Sequence, residues 1–300
     1  MKSLKDMFIQ NTIPGTKHKV GICLSGGGAL GFAHIGVLQA LEDNHIYPEA
    51  VSGSSMGAII GTLYAAGYTP AQMLQFIKEG KLYKITNIMS FQPTFWKTGL
   101  SSHQTILKLI NDLIPNNSFE KLEKELHLCA SNLSTGKWEI ISSGQNLDSW
   151  VAASCSIPGV FNAMKINDMF YVDGGLLNNM PSQPLKETCE HIIGSDVVPF
   201  TPTKRNLKSH EILFNSLRVA QNEMSQPGKG LCDYSIEPRA IDRFHEYNYD
   251  AFQNIYLIGY RSVVQYITDN PEILKLQSKV DNSEVPDQKK LKKGRYNKLS

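Results

Sequence analysis

The chain has 300 residues, 41% of them hydrophobic and 19% charged, with a formal net charge of +2; this suits one large globular domain or two small ones. So small a net charge excludes the global basic field of a nucleic-acid binder. The cysteines, Cys23, Cys129, Cys155, Cys189 and Cys232, are odd in number, widely spaced and without a C-x-x-C pair, which argues against a disulfide framework or a zinc site and for a reducing compartment.

In chain order, "MKSLKDMFIQNTIPGTKHK" lacks the apolar core of a signal peptide. No stretch reaches the roughly 18 apolar residues of a membrane span. A cytoplasmic location is expected, with residues 1–18 as an N-terminal arm. "KVGICLS" reads as a buried strand ending in glycines. "ALGFAHIGVLQALEDN" follows as a helix with Leu30, His34, Val37, Leu38 and Leu41 at helical spacing. "EAVSGSS" is a second short strand, and "MGAIIGTLYAAGY" a second helix stopped by Gly67 and Pro70. Further strands are expected at "LHLCASN", "KWEIISSG", "DMFYVDGG" and "HIIGSDVV", and helices at "SHEILFNSLRVAQNEMSQ" and "AFQNIYLIGYRSVVQYI". Strands alternating with helices predict an α/β fold with a mostly parallel sheet covered on both faces. One domain spans 19–272, and the polar stretch from 273 to 300 reads as a tail.

Gly26, Gly28 and Gly31 match G-x-G-x-x-G between a strand and a helix, the context of a dinucleotide site. Such a site wants an acid at the end of the second strand. Here that strand ends in "SGSS", and Glu49 precedes it. In place of the acid stands "GSSMG", G-x-S-x-G over residues 53–57, with Gly53 and Gly57 flanking a central Ser55. A sharp strand-to-helix turn exposes the central serine and needs small neighbours, and the following helix favours negative charge at its N-terminus. Adjacent parallel strands would carry both glycine-rich turns to one sheet edge. There the N–H groups of Gly26, Gly27 and Gly28 would hold the oxyanion of a tetrahedral intermediate, with Ser55 as nucleophile and Ser54 off-centre. "MFYVDGG" ends another strand in Asp173, Gly174 and Gly175, placing a candidate base at a strand end. His34, His191, His210 and His245 are the histidines weighed as bases. None has a glycine-rich strand-end setting, and His34 lies on the apolar side of its helix; a Ser–His–Asp arrangement stays open on these grounds.

Together these residues resemble the patatin-like phospholipase family. The similarity runs through "SGGGALGFAHIGVLQALE", "VSGSSMGAIIGTLYAAG", "AASCSIPGVFNAM" and "YVDGGLLNNMPSQPL", over residues 19–187. It continues more weakly through "CDYSIEP" and "LIGY", in the manner of bacterial members related to neuropathy target esterase. The resemblance implies a three-layer α/β/α sandwich and a Ser–Asp dyad without histidine: Ser55 the nucleophile, Asp173 the base, Gly26 to Gly28 the oxyanion hole. It implies hydrolysis of phospholipid, lysophospholipid or other acyl esters with no cofactor and no metal. One departure is Leu30, where many members carry Arg or Lys. The backbone donors do not depend on that side chain, but an extra positive charge is lost. The rival readings are a nucleotide-binding protein using the G-x-G-x-x-G turn and, because of Leu30, a catalytically weak interaction module.

Two further segments bear on lipid. Residues 87–100, "NIMSFQPTFWKTGL", group Ile88, Met89, Phe91, Phe95 and Trp96 around Pro93; they read as a lid or acyl-chain wall, or as a packed apolar loop. The tail holds Lys289, Lys290, Lys292, Lys293, Arg295 and Lys298. These suit either a solvated end or peripheral contact with an anionic membrane, where each cation contributes about 1 kcal/mol.

Overall fold

The computed structural model describes residues 17–79, 103–199, 209–244 and 248–278. The segment 87–100, the basic residues of the tail, His245 and the side chain of His210 lie outside the described residues, as does the arm up to residue 16.

The strand β1 (His18–Leu24) forms the centre of the sheet because both its faces are covered. Val20, Ile22 and Leu24 point to one side and Gly21 and Cys23 to the other. It pairs in parallel with β2 (Ala50–Gly53) and β7 (Cys189–Ser195). Outside these, β3 (Glu125–Asn132) pairs in parallel with β2, and β8 (Tyr234–Ile236) with β7. The expectation of a mostly parallel sheet holds for these five strands. The whole sheet is mixed, because β3 also carries β4 (Lys137–Ile141) and β6 (Met169–Asp173) antiparallel, and β5 (Met164–Ile166) pairs antiparallel with β6. The β5–β6 connection is the dipeptide Asn167–Asp168 with both φ angles positive, 48° and 61°. That is the two-residue turn whose twist suits a hairpin.

The register of β3 locates the site. Leu128 is opposite Gly53 of β2 and Ile141 of β4, so β2 and β4 occupy opposite flanks. Ala130 is opposite Glu139 of β4 and Asp173 of β6. Hence β6 lies on the β2 flank, further along the same lane. The two strands run toward each other, and their ends, Gly53 and Asp173, stand two residues apart along β3.

The helical layers are unequal. On the thick side α1 (Phe32–Asp43), α2 (Met56–Ala65) and α8 (Phe252–Asp269) join the main core with Val20, Ile22, Leu24 and Val51. Burying each such Leu, Ile or Phe contributes about 1.5–3 kcal/mol relative to leaving it exposed. α1 is apolar nearly all round because it lies between the sheet and α8. Its Gly36 faces the backbone of Tyr256, and Phe32 meets Tyr249 and Phe252 edge-on at 6.0 and 6.4 Å. The other face of the sheet is covered by a small cluster of Cys23, Ala50, Met180, Leu185, Cys189 and Ile192, with the short α6 (Gln183–Thr188). A long helix, α7 (Ser209–Lys229), follows β7. Among the described residues four helices had no counterpart in the sequence reading: α6 and three connecting helices, α3 (Pro70–Lys78), opened by a Thr69–Gln72 capping box, α4 (Gln104–Leu113) and α5 (Leu147–Ser154).

Three expected details change. Leu30 belongs to a 3₁₀ turn over Gly28–Gly31 ahead of α1, not to α1 itself. The sheet begins at His18, inside the expected arm. The folded body continues past 272, since Ile273 and Leu276 of the final 3₁₀ turn are buried.

Candidate active site

β2 ends at Gly53, and Ser55 joins it to α2 with φ 53° and ψ −123°. That conformation is costly for a residue with a side chain, so the surroundings must enforce it. The Ser55 N–H donates to Ser154 Oγ at 3.1 Å, and Ser154 Oγ donates to the carbonyl of Cys129 at 2.6 Å. The Ser55 carbonyl accepts from Cys155 Sγ at 3.2 Å and from the Ala58 N–H at 2.9 Å. The "AASCSIP" segment thus clamps the serine backbone from α5. Gly57 sits where a Cβ would strike the Leu24 carbonyl, so only glycine lets α2 start this close to the end of β1. Ser54 Oγ lies beside Gly174 and is buried without a hydrogen bond.

β1 ends beside this turn. The Gly26 N–H donates to Asn179 Oδ1 at 3.0 Å, whereas the N–H groups of Gly27 and Gly28 have no acceptor among the described residues. Gly28 has φ 54°. Gly31 packs on the side chain of Met56, and Val197 and Val198 pack on Gly27. Behind the loop, His34 Nε2 donates to the Ser25 carbonyl at 2.9 Å, and His34 Nδ1 accepts from Ser195 Oγ at 2.8 Å. Those partners define the tautomer, because a carbonyl only accepts. Burial lowers the His34 pKa to about 4 and keeps the ring neutral. Leu30, at the position where a cation was missing, is fully buried in the core.

Asp173 closes the lane opposite. It reaches the edge that carries Ser55 although β6 runs against the parallel strands, because β3 extends beyond the end of β2. The residue is 2% exposed. Oδ1 accepts the Gly175 N–H at 2.8 Å, while Oδ2 is buried without a hydrogen bond. Burial pushes the pKa up to about 6, against the opposing influence of the nearby Ser55 hydroxyl and the Gly175 N–H. The Asp173 N–H donates to the Ser156 carbonyl at 2.9 Å. Ser156 Oγ in turn meets His103 Nε2 at 2.8 Å, and His103 stacks on Phe161. His103 was missed in the sequence because it stands outside any glycine-rich motif. His191 lies along β7 opposite Val20, away from the strand ends, with its ring beside Tyr234. Among the described residues no group of three or more His, Cys, Asp or Glu is placed to hold a metal ion.

The sheet therefore brings Ser55, Asp173 and the glycine turn to one point. A serine elbow, free backbone donors and a buried carboxylate at the edge of an α/β sheet have the form of a serine hydrolase site. The chain belongs to the patatin-like phospholipase family, whose model matches residues 22–186. An uncharacterised NTE family protein of Mycobacterium tuberculosis is 32% identical over 168 residues, covering 56% of this chain and 45% of that protein. Lysophospholipase nte1 of Emericella nidulans is 26% identical over 307 residues, covering 90% of this chain and 19% of that protein. The chain thus spans less than half the length of either relative. Among solved structures, VipD of Legionella pneumophila superposes with a TM-score of 0.44 at 15% identity, over 81% of this chain and 67% of that one.

Proposed function

We propose that this protein hydrolyses carboxylic esters of phospholipids or lysophospholipids through an acyl-serine intermediate. The observation that carries the reading is the meeting of Ser55, held in a strained turn, with buried Asp173 in the gap between β2 and β6. Ser55 Oγ attacks the ester carbonyl carbon while Asp173 accepts the hydroxyl proton. The carbonyl oxygen becomes an oxyanion, and the N–H groups of Gly27 and Gly28 receive it; losing one such donor typically costs about 10²–10³ in rate. Gly26 supports this turn rather than serving as a donor, since its N–H is already taken by Asn179. Collapse of the intermediate breaks the ester C–O bond, and the alcohol leaves with the proton from Asp173. Water then attacks the acyl-serine with Asp173 again as base, releasing the fatty acid and restoring Ser55.

A pKa of about 6 suits this role. The carboxylate is mostly ionised at pH 7 yet a stronger base than an exposed aspartate. The chemistry needs no metal or cofactor. The lipid class is supported by family membership and by the lysophospholipase activity in the name of the Emericella relative. Peripheral contact with anionic lipid through the basic residues near 289–298 belongs to the same proposal. Among the described residues no helix is long and apolar enough to cross a membrane. The nucleotide-binding rival gains nothing, because β2 delivers Ser55 where a ribose-binding acid would stand.

Labelling with a fluorophosphonate probe followed by peptide mapping tests the reading. Ser55 is expected to carry the label, and Ser55→Ala to lose both label and hydrolysis of a lysophospholipid. Labelling at Ser54, or hydrolysis that survives in Ser55→Ala, would overturn it.

A further inference from the structure

Asn179 is 1% exposed and lies between the two turns that meet at the site. Its Oδ1 accepts the Gly26 N–H at 3.0 Å. A Cβ placed on Gly26 would come within 2.5 Å of that oxygen and 3.0 Å of Ser55 Cβ. One placed on Gly175 would come within 2.6 Å of the same oxygen and 3.0 Å of Asp173 Oδ1. A single carboxamide is therefore wedged between the loop beside the nucleophile and the loop that holds the base. Its orientation follows from its partner. Gly26 offers a donor, so the amide oxygen must face it, and Nδ2 is left buried without an acceptor among the described residues. Burying an amide NH₂ unpaired is unfavourable, and such a group in a native interior calls for an explanation. Neighbouring Asn178 has its NH₂ paired, donating to Gln183 Oε1 at 2.9 Å, and leaves its oxygen rather than its nitrogen without a hydrogen bond.

We propose that Asn179 is a positioning residue for the hydrolysis assigned to Ser55, holding the Gly26 peptide so that the next two N–H groups point at the reacting carbonyl. Gly26 is the first peptide after Ser25, and its orientation sets that of Gly27 and Gly28. Ser25 is already tied on its other side by Ser195 and Val197. Asn179 completes the clamp from the chain segment that also carries Asp173, so the oxyanion donors and the base are placed by one body. This inference rests on the ester-hydrolase reading.

The test uses the full-length chain, a soluble p-nitrophenyl butyrate substrate and a reversible trifluoromethyl ketone inhibitor, whose hemiketal oxyanion mimics the transition state. Asn179→Ala should lower kcat about 10²-fold with little change in KM. Inhibitor affinity should fall in proportion to kcat/KM, as expected when transition-state contacts are lost. Asn179→Asp keeps an oxygen for the Gly26 N–H but adds a second carboxyl near Asp173. It should recover much of the lost rate at high pH, with the acid limb of kcat/KM raised by about one unit. The titratable neighbours of Asp173 are Cys129 on β3 and Cys155 after α5, whose thiols burial keeps protonated, together with His103 through Ser156. His103→Gln should leave that displacement of the limb intact.

Wild-type kcat in Asn179→Ala, or unchanged inhibitor affinity despite a lower kcat/KM, would overturn the role. So would an Asn179→Asp enzyme with the wild-type acid limb. Ser55→Ala separates the two failures. If it is dead while Asn179→Ala is fully active, only the positioning role falls; if it remains active, the hydrolase reading falls with it.

Discussion

Ser55 and Asp173 stand at the ends of two strands in one lane of the sheet, and the chain secures them differently. Ser55 is held through its backbone: a positive φ, a helix beginning at the next residue, an N–H that donates to Ser154 Oγ and a carbonyl that accepts from Cys155 Sγ. Its strain is of the order of 1–3 kcal/mol. Asp173 also has a paired backbone, with its N–H on the Ser156 carbonyl, but its side chain has only one hydrogen bond, from the Gly175 N–H, and a buried oxygen with none. The first arrangement fixes geometry; the second tunes protonation. A nucleophile needs direction, whereas a base needs a pKa near the working pH.

The sharpest way to break the comparison is Asp173→Asn. The amide keeps an oxygen for the Gly175 N–H but takes no proton, so ester hydrolysis should fall by about 10²–10⁴-fold. Stability should move the other way. Burial raises the Asp173 pKa from 3.8 to about 6, so between those values the folded chain binds more protons than the unfolded one. Wild-type stability therefore falls as pH rises from about 4 to about 6, by about 3 kcal/mol in total. Asn179 and the rest of the site being unchanged, Asp173→Asn should match the wild type at pH 4 and exceed it at pH 7.5, as read by urea denaturation. The activity of the wild type should lose about tenfold per pH unit below pH 6, where the base is protonated. A variant no more stable than wild type at pH 7.5, or activity level down to pH 4.5, would show that the carboxyl is not the buried, tuned group described here.

Ser154→Ala probes the other side. It removes the acceptor of the Ser55 N–H and the donor to Cys129. A stability loss of about 1–3 kcal/mol is expected, with about a tenfold fall in kcat as the nucleophile loses its alignment. The pH profile should stay where it is, since the base is untouched. A shifted acid limb in this variant would mean that the two halves are not independent. The smallest effect is expected for His191→Ala, less than about twofold in kcat/KM, because that ring lies partway along β7 beside Tyr234. A large loss in a well-folded variant would require a histidine in the mechanism.

Much of the site could be read from the sequence because its signals are local. Two strand-to-helix turns crowded with small residues, at 25–31 and 53–57, announce themselves by composition, and strand and helix periods identify the elements around them. Asp173 was visible as an acid between an apolar run and two glycines. Asn167–Asp168 was also a local signal for the β5–β6 hairpin, one that reveals its meaning only when both flanking segments are taken as strands.

The tertiary structure decided the rest. The parallel pattern gave no hint that β6 runs backward into the lane of β2; that follows from β3 being longer than β2, so that its flank is free to pair again. The sequence did not show that folding brings Asn179 to the Gly26 N–H from 153 residues away. His34 became a neutral brace and Leu30 a core residue through burial alone. The same burial raises the Asp173 pKa to about 6, which suits the role of base proposed for it. Turn chemistry depends on neighbouring residues and is written in the chain. Register beyond a strand's end, the partner of a backbone N–H and the pKa of a carboxyl depend on groups brought together only when the core closes.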